Sequence, residues 1–271
     1  MGMRTSLSYY GGKQQLAERI MGMIPEHEVY CELFCGGAAI FFAKTPSGVE
    51  IINDTNGEVI NFYEVLKRDF PALEREIEIS LHSRKQHRQA QVIYENPDMF
   101  DRIKRAWAVW MLANGSYGCK LDGTFGRDRT GTTSKKLANK RADFTAGYAI
   151  RLQNVQIECC DALRIIGNRD TPETFFYLDP PYVGTDQGHY DGYTQMDFDA
   201  LLGALEGIQG KFLLSSFRNE SLANFTERNG WHTVEVRLPS PMTQGQGRSP
   251  KDKVEVLTTN YLVGAGDCLL F

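Results

Sequence analysis

Residues 29–43 read Val-Tyr-Cys-Glu-Leu-Phe-Cys-Gly-Gly-Ala-Ala-Ile-Phe-Phe-Ala and combine the signals of a strand, a turn and a helix. The apolar run Val29–Phe34 predicts a strand, Gly36 and Gly37 predict a turn, and Ala38–Ala43 predicts a helix. Glycines at such a turn allow the backbone to approach a ligand closely and expose the amide groups at the start of the helix. This succession is typical of an α/β fold.

The alternation of short apolar runs with helical segments continues along both halves of the chain, as in a doubly wound α/β sheet. The further strands that we predict are Val49–Asn53, Val155–Cys159, Phe175–Leu178 and Lys211–Ser215, with a helix at Glu58–Phe70. Near the end, Thr233–Leu238 and Lys253–Asn260 predict a terminal antiparallel hairpin. The loop between them, Pro239–Asp252, is rich in Gly, Pro, Gln and Ser and is expected to be mobile.

The α/β alternation stops between residues 71 and 149, which we therefore expect to form an insertion or a second domain. This stretch is mostly helical in its first part. Its predicted helix Met99–Ala113 carries Trp107, Trp110 and Met111 on one apolar stripe, which favours a place in the core over a ligand site.

The second part of the same stretch is a Gly- and Thr-rich loop with a local excess of positive charge. Seven basic residues stand there against Asp122 and Asp128. The basic residues are Lys120, Arg127, Arg129, Lys135, Lys136, Lys140 and Arg141. In a chain of net charge −4, this excess indicates either a docking surface for a polyanion or an ordinary solvated loop.

Composition predicts a globular, metal-free, cytoplasmic protein. The 271 residues are 42% hydrophobic and 24% charged, which is enough to bury a substantial core. No apolar run approaches the roughly 18–20 residues that span a bilayer, and the N-terminus lacks the apolar stretch of a secretory signal. The six cysteines form no C-x-x-C pair and the five histidines show no metal-ligand spacing.

Residues 175–182, Phe-Phe-Tyr-Leu-Asp-Pro-Pro-Tyr, place a short polar motif directly after a predicted buried strand. Pro180 and Pro181 fix their φ angles and carry no N–H, so the backbone there offers carbonyl acceptors. With Asp179 as a second acceptor and Tyr182 as a flat face for a planar ring, the motif suits the holding of an exocyclic amine. Two acceptors favour the geometry in which the amine's lone pair can react. The alternative is a strand-ending turn without chemistry.

A second group of residues indicates a nucleoside-type ligand. Asp54 ends a predicted strand about twenty residues after the glycine turn, where an acid accepts hydrogen bonds from ribose hydroxyls in nucleotide-binding folds. Asp161 follows another strand and is placed to accept from an adenine amino group. The sequence has neither a P-loop lysine nor a GxGxxG pattern, either of which would indicate a ligand with phosphate groups. S-adenosylmethionine, a nucleoside-type ligand without phosphate, therefore fits better than a nucleotide. Lys13 is placed to meet a ligand carboxylate, and the aromatic pair before it, at positions 9 and 10, to cover the ligand.

Five segments, in this order, resemble the Dam-type (D12 class) DNA N6-adenine methyltransferases over nearly the whole chain. They are Tyr9-x-Gly11-Gly12-Lys13, Glu32-x-Phe34-x-Gly36, Asn53-Asp54 with Ile60-Asn61-Phe62-Tyr63, Asp179-Pro180-Pro181-Tyr182, and Glu255-Val256-Leu257-Thr258-Thr259-Asn260-Tyr261. The Asp-Pro-Pro-Tyr motif alone is also similar to enzymes that methylate RNA or glutamine side chains. The first and last segments favour the DNA enzymes.

The resemblance implies a Rossmann-like methyltransferase that uses S-adenosylmethionine, leaves S-adenosylhomocysteine, needs no metal and flips adenine out of double-stranded DNA. Residues 1–70 and 150–271 would form the catalytic, cofactor-binding domain, and residues 71–149 a target-recognition insertion. The implied cofactor contacts are Tyr9, Lys13, Glu32, Phe34, Gly36, Asp54 and Asp161. The implied catalytic residues are Asp179, Pro180, Pro181 and Tyr182. The expected DNA-binding residues are Tyr117, Lys120, Arg127, Arg129, Lys135 and Lys136.

The chain departs from the family pattern at two places. Ala38 stands where the common Glu-Pro-Phe-x-Gly-x-Gly form has a glycine, and residues 114–127 only loosely follow the hairpin of GATC-specific members, so GATC specificity is not implied. One alternative is an RNA or protein-glutamine methyltransferase, and a small protein-methylating enzyme would not need the basic insertion. Another is a catalytically silent DNA-binding protein, which would have no reason to keep Asp179–Tyr182. We expect a monomer in solution, cytoplasmic and nucleoid-associated while acting on DNA.

Overall fold

The structure is a computed structural model that describes residues 2–183, 192–238 and 253–263. Its strands are β1 (Val29–Glu32), β2 (Val49–Asn53), β3 (Gln156–Glu158), β4 (Thr174–Leu178), β5 (Lys211–Ser216), β6 (His232–Leu238) and β7 (Lys253–Thr259). Its α-helices are α1 (Ala17–Met23), α2 (Ala39–Ala43), α3 (Gly57–Arg68), α4 (Phe70–Glu78), α5 (Arg84–Glu95), α6 (Arg102–Gly115), α7 (Thr132–Ala142), α8 (Gly147–Leu152), α9 (Ala162–Arg169), α10 (Gln195–Glu206) and α11 (Glu220–Asn229).

The strands form one seven-stranded sheet in the order β3-β2-β1-β4-β5-β7-β6. The first five strands of this order run parallel, and β7 lies antiparallel between β5 and β6. Strand order reverses between β1 and β4, because the chain builds outward from β1 through β2 and β3 and then returns to its other side. In open α/β sheets such a reversal opens a crevice at the carboxyl ends of the strands. The predicted doubly wound sheet and terminal antiparallel hairpin are confirmed.

Strand β4 shows why this sheet needs helices on both faces. All five of its residues are buried. Phe175 and Tyr177 belong to the apolar cluster on one face, with residues of α1, α2 and α3, whereas Phe176 and Leu178 belong to the cluster on the other, with residues of α9 and α10. A near-continuous apolar run is typical of a central parallel strand. Asp179 therefore emerges from the middle of the molecule.

The predicted insertion is built around α6, which is buried from Ala106 to Gly115. A helix that is apolar on every side needs neighbours all round, and α3, α4, α5 and α7 surround it. Trp110 is fully buried, as a core residue should be. The core of the insertion is continuous with the cluster on one sheet face, and the boundary at residues 71–149 stays a prediction.

Three predicted helices begin or end elsewhere, for local reasons. The helix predicted over Ala38–Ala43 begins at Ala39, because Ala38 has left-handed φ and ψ angles. The helix predicted over Met99–Ala113 begins only at Arg102, because the Asp101 carboxylate caps it by accepting from the N–H groups of Ile103 and Lys104. The helix predicted to run to Phe70 ends at Arg68, and a second helix starts with Pro71 in its first turn.

The predicted mobile loop Pro239–Asp252 lies outside the described residues. Among the residues that are described, no helix is long and apolar enough to cross a membrane.

Candidate active site

Asp179 follows β4 directly and faces the ammonium of Lys13. Lys13 Nζ lies 2.8 Å from Asp179 Oδ1, and the two side chains are 4% and 19% exposed. Lys13 also donates to the Gly11 carbonyl at 3.1 Å. Burial raises the pKa of the Asp179 carboxyl, and the charge of Lys13 opposes that rise. The sequence predicted Lys13 as a cofactor contact, and the structure places it on the predicted catalytic carboxylate.

The Tyr182 hydroxyl closes a polar cluster on the same side. It donates to Glu255 Oε2 at 2.8 Å and lies 3.1 Å from Ser215 Oγ, which is itself 2.9 Å from that Glu255 oxygen. The Tyr182 ring packs against Phe217 with centroids 4.3 Å apart, and Lys13 Nζ lies 5.0 Å from its centroid. Burial raises the pKa of the Tyr182 phenol well above its ordinary value. The ring and the hydroxyl are therefore both held in place.

Glu255 opens the last of the segments that resemble the family, but the sequence analysis assigned it no role in the site. Its carboxylate is 6% exposed on β7 and lies 3.6 Å from Lys13 Nζ. An available signal was an acid among the apolar residues Val254, Val256 and Leu257 of a predicted strand, because an acid that such a strand buries needs partners. Ser215, on β5, is a neutral polar residue at the end of an apolar run and gave no comparable signal.

The glycine turn after β1 is organised by Asp54. One Asp54 oxygen accepts from the Gly36 N–H at 2.8 Å and the other from the Asn56 N–H at 2.9 Å. Gly36 has φ +44°, and a Cβ there would lie 2.6 Å from the Tyr9 ring. The glycine is thus required where the ring of Tyr9 covers the turn. Asp54 is 2% exposed, and its contact with a ribose stays a prediction.

Glu32 lies beneath the turn, inside the protein. Its Oε2 accepts from the Tyr30 hydroxyl at 2.6 Å and from the Phe41 N–H at 2.8 Å, so the carboxyl joins β1 to α2. Burial raises its pKa to about 8, against the lowering effect of these two hydrogen bonds. These contacts give Glu32 a structural task, and its predicted contact with the cofactor remains untested.

A cavity of about 400 Å³ lies between α9, α10 and the residues after β1. Its walls include Phe34, Leu163 and Pro181, and two acids line it, Asp161 and Asp197. Asp161 Oδ1 caps α9 by accepting from the Leu163 N–H at 2.8 Å. The rings of Phe34 and Tyr193 meet edge to face with centroids 6.2 Å apart. Apolar and aromatic walls with carboxylate acceptors at the edge fit a nucleoside that carries an amino group. A larger concavity of about 1130 Å³, beside His27 and Lys44, holds none of the predicted site residues.

The predicted DNA-binding residues lie on and after a hairpin formed by residues 115–126. The Tyr117 N–H donates to Thr124 O at 2.7 Å and the Gly126 N–H to Gly115 O at 2.8 Å. Tyr117 is 74% exposed at this hairpin, and the basic residues that follow are also exposed: Arg127, Arg129, Lys135 and Lys136. Lys120 is half-buried, with its ammonium 4.8 Å from the ring centroid of Tyr10.

Two other basic residues of this region bond to the protein itself. Lys140 donates to the Thr5 carbonyl, and Arg141 donates to the Ser80 carbonyl at 2.6 Å. The Lys140 bond holds the insertion to the N-terminal segment, and the Arg141 bond lies within the insertion, so both residues have structural roles.

The doubly wound sheet, the nucleoside-sized cavity and the Asp-Pro-Pro-Tyr motif together define the class of S-adenosylmethionine-dependent methyltransferases. Residues 9–204 match the family model of the D12 class N6 adenine-specific DNA methyltransferases, and the chain belongs to this family. It is a DNA adenine-N6 methyltransferase that uses S-adenosylmethionine. The resemblance seen in the sequence is confirmed.

Two relatives of known class align with 96% of this chain. The chain is 25% identical to the type II methyltransferase M1.LlaDCHI of Lactococcus lactis subsp. cremoris over 96% of both chains. It is 23% identical to the type II methyltransferase M.FokI of Planomicrobium okeanokoites over 96% of this chain and 43% of that protein. A solved S-adenosylmethionine-dependent methyltransferase from Agrobacterium tumefaciens matches with a TM-score of 0.41 and 10% identity, over 91% of this chain and 59% of that one.

Proposed function

We propose that Asp179, Pro180, Pro181 and Tyr182 hold the N6 amine of an adenine that has left the stack of a DNA duplex. The observation that carries this proposal is the position of the Lys13 ammonium, 2.8 Å from Asp179 Oδ1 and 5.0 Å from the centre of the Tyr182 ring. A nitrogen that carries hydrogens is already accommodated between a carboxylate and an aromatic face. The target amine needs the same surroundings, because its partners in the duplex are gone once the base is extruded.

The chemistry asked of these residues is positioning and charge stabilisation. S-adenosylmethionine, when bound, supplies the methyl group. The amine nitrogen would form the new C–N bond while the C–S electron pair stays with the sulfur of S-adenosylhomocysteine, and the positively charged nitrogen would then pass one proton to water. Asp179 and the Pro180 carbonyl are the acceptors for the amine hydrogens. Lys13 engages Asp179 Oδ1, so a shift of its ammonium would free that oxygen, and the Glu255 carboxylate, 3.6 Å from its nitrogen, is an anionic partner within reach.

The cofactor is proposed to lie in the 400 Å³ cavity, with Asp161 accepting from its adenine amino group and Phe34 covering the ring. The glycine turn that Asp54 holds adjoins this space through Phe34, two residues before Gly36. The remaining contacts proposed from the sequence are Tyr9, Lys13, Glu32, Gly36 and Asp54.

Double-stranded DNA is the proposed substrate form, docked on the hairpin 115–126 and the exposed basic residues after it. The exposed charges support a phosphate path there, and the exposed ring of Tyr117 supports a contact inside the duplex. We propose a monomer in solution, located in the cytoplasm. Because M1.LlaDCHI is named a type II methyltransferase, a role in restriction-modification is the proposed biological setting.

The experiment that tests the site uses labelled S-adenosylmethionine, the wild-type protein and the Asp179→Ala variant. Wild type should place label on N6 of adenine in unmethylated duplex DNA, with little on RNA or protein. Removing one preorganised acceptor should lower the rate by about 10²–10³, while S-adenosylhomocysteine still binds by calorimetry. Cofactor affinity that collapses with the rate would make Asp179 a cofactor ligand. Label on RNA or protein instead of DNA would overturn the proposed substrate.

A further inference from the structure

The N-terminal strap, residues 4–9, runs between the predicted recognition insertion and the glycine turn. On the insertion side, Lys140 donates to Thr5 O and the Asn114 side chain bonds to the backbone at two strap residues. At the end of the insertion, the Tyr148 hydroxyl donates to Arg4 O at 2.8 Å. The strap is therefore anchored along its length to elements outside the sheet.

On its other side the same strap is packed tightly on the glycine turn. The Thr5 hydroxyl donates to the Gly37 carbonyl. A Cβ at Gly37 would lie 2.9 Å from Tyr9 Cβ and 3.1 Å from Leu7 O, and the Tyr9 ring leaves no room for a Cβ at Gly36. Interfaces packed this closely transmit a displacement instead of absorbing it. A shift of the strap must therefore shift the turn.

Asn114 is the point at which the recognition hairpin meets the strap. Its Oδ1 accepts from the Ser8 N–H at 3.1 Å, and its Nδ2 donates to Ser6 O at 3.2 Å and to Trp110 O at 3.0 Å. The side chain is 9% exposed. The next residue, Gly115, accepts the Gly126 N–H and so closes the hairpin. The hairpin therefore begins one residue after Asn114, whose side chain forms hydrogen bonds with the strap at two places.

We propose that Asn114 is a positioning residue that couples DNA docking on the hairpin to cofactor binding at the glycine turn. The coupling runs from Asn114 through the strap to Tyr9, whose ring packs on Gly36. Four residues after Tyr9, the polypeptide reaches Lys13, which pairs with Asp179. This inference rests on the proposed function, because it takes the hairpin as the DNA-docking surface. Coupling between two binding sites is reciprocal, so it is measured as the ratio of cofactor affinities with and without DNA.

The test measures the dissociation constant of S-adenosylhomocysteine for the whole protein, alone and with a saturating unmethylated duplex. In wild type we expect DNA to change this constant about fivefold or more, the lower end of typical couplings. In Asn114→Ala the ratio should fall to within about twofold of one, while the affinity without DNA changes little. The matched control is Asn61→Ala. Asn61 is 5% exposed and bonds to Arg102 at the other end of α6, away from the strap.

A wild-type ratio of one, or a wild-type ratio kept in Asn114→Ala, would overturn the proposal. An equal fall in Asn61→Ala would overturn it too, because general loosening of α6 would then be enough. If Asn114→Ala does not fold, Thr5→Val tests the other end of the strap, since it removes the hydroxyl that holds Gly37 and keeps the side chain's shape. The DNA path is tested separately by the salt dependence of a Lys135→Ala, Lys136→Ala variant. Suppose that the double-lysine variant keeps the wild-type salt dependence of DNA affinity while Asn114→Ala lowers the ratio of cofactor affinities. The proposed DNA path would then be wrong, and the coupling through Asn114 would stand.

Discussion

Lys13 Nζ lies 2.8 Å from Asp179 Oδ1, in a pair whose lysine is almost completely buried. The cation sits where the target amine is proposed to bind, so in this state Oδ1 of the carboxylate is engaged by Lys13 and by the Tyr182 hydroxyl, which donates to it at 3.2 Å. Movement of Lys13 into water would leave the largely buried carboxylates of Asp179 and Glu255 without their cation, which is costly. The nearby Glu255 carboxylate makes a short shift of the ammonium a less costly route, since Lys13 keeps an anionic partner throughout.

Replacement of Asp54 by alanine should weaken cofactor binding. The carboxylate fixes the Gly36 and Asn56 amides, and the substitution would also remove its predicted hydrogen bonds to ribose hydroxyls. Hydrogen bonds to a charged group are worth about 1.5–3 kcal/mol, so we expect the dissociation constant of S-adenosylhomocysteine to rise by roughly one to two orders of magnitude. Calorimetry measures this directly. An unchanged constant would remove Asp54 from the cofactor site and leave it only its role in the turn.

Glu32 should make the protein less stable as the pH rises. Its folded pKa of about 8 lies above the ordinary value near 4.5, so between these values the folded state holds a proton that the unfolded state has released. Stability is therefore fully present below about pH 4.5 and is lost towards pH 8, by at most about 1.4 kcal/mol per pH unit.

Glu32→Gln is the variant that isolates this effect, because the amide keeps an acceptor for Tyr30 and Phe41 and has no proton to lose. Urea unfolding at pH 6 and pH 8 should show a smaller loss of unfolding free energy in the variant than in wild type. Equal losses in the two proteins would assign the pH dependence to other groups.

Ala38 should tolerate glycine better than its neighbour Ala39 does. Ala38 has φ +50° and ψ +42°, a left-handed conformation that costs an alanine roughly 1–2 kcal/mol. Ala38→Gly relieves this strain. Two effects oppose the gain: the loss of a buried methyl group, worth about 0.8 kcal/mol, and the greater conformational entropy that glycine gives to the unfolded chain. We expect a net change below about 1 kcal/mol. Ala39→Gly has no strain to relieve, so its losses add to about 1–2 kcal/mol. Similar losses in the two variants, by chemical denaturation, would contradict the argument.

Local signals were enough to predict the sheet but not the contacts across it. The strand Val49–Asn53 was predicted with its observed bounds, and the motif after β4 lies at the crevice. Both predictions succeeded because hydrophobic runs and turn residues are formed by residues adjacent in the sequence. The Lys13–Asp179 pair depends on how the chain before α1 returns to the end of β4. Glu255 joins Tyr182 only because β7 inserts antiparallel beside β5, and no spacing in the sequence encodes that insertion.

The same limit explains the glycine turn. The sequence predicted that Gly36 makes room for a ligand, which stays a prediction, and the structure shows that Gly36 makes room for the Tyr9 ring. Both demands favour glycine, so the residue type alone does not distinguish a ligand from a side chain. The strap that brings Tyr9 there is held by Asn114 across a long separation in sequence.

The exposed lysines after the hairpin should contribute to DNA affinity without regard to sequence. Removal of one lysine that binds a phosphate is expected to lower the log–log slope of affinity against salt by roughly 0.9, so Lys135→Ala with Lys136→Ala should lower it by up to about 1.8. Affinity should fall alike for duplexes of different sequence. Lys211→Ala is the control, because Lys211 is exposed at the amino end of β5, opposite the active-site crevice. An unaltered slope in the double variant would move the DNA path away from this region.

Tyr117 should matter more for methylation than for binding. Its ring is 74% exposed on a hairpin that two backbone hydrogen bonds and a tight turn at Gly123 hold in shape. A ring presented in this way can fill the gap that a flipped adenine leaves in the duplex, and so offset part of the few kcal/mol of unstacking. Tyr117→Ala should therefore slow methylation of duplex DNA while duplex affinity falls little. A single-stranded substrate leaves no gap, so its methylation should be nearly unaffected. Equal losses on the two substrates would show that Tyr117 acts elsewhere than in the gap.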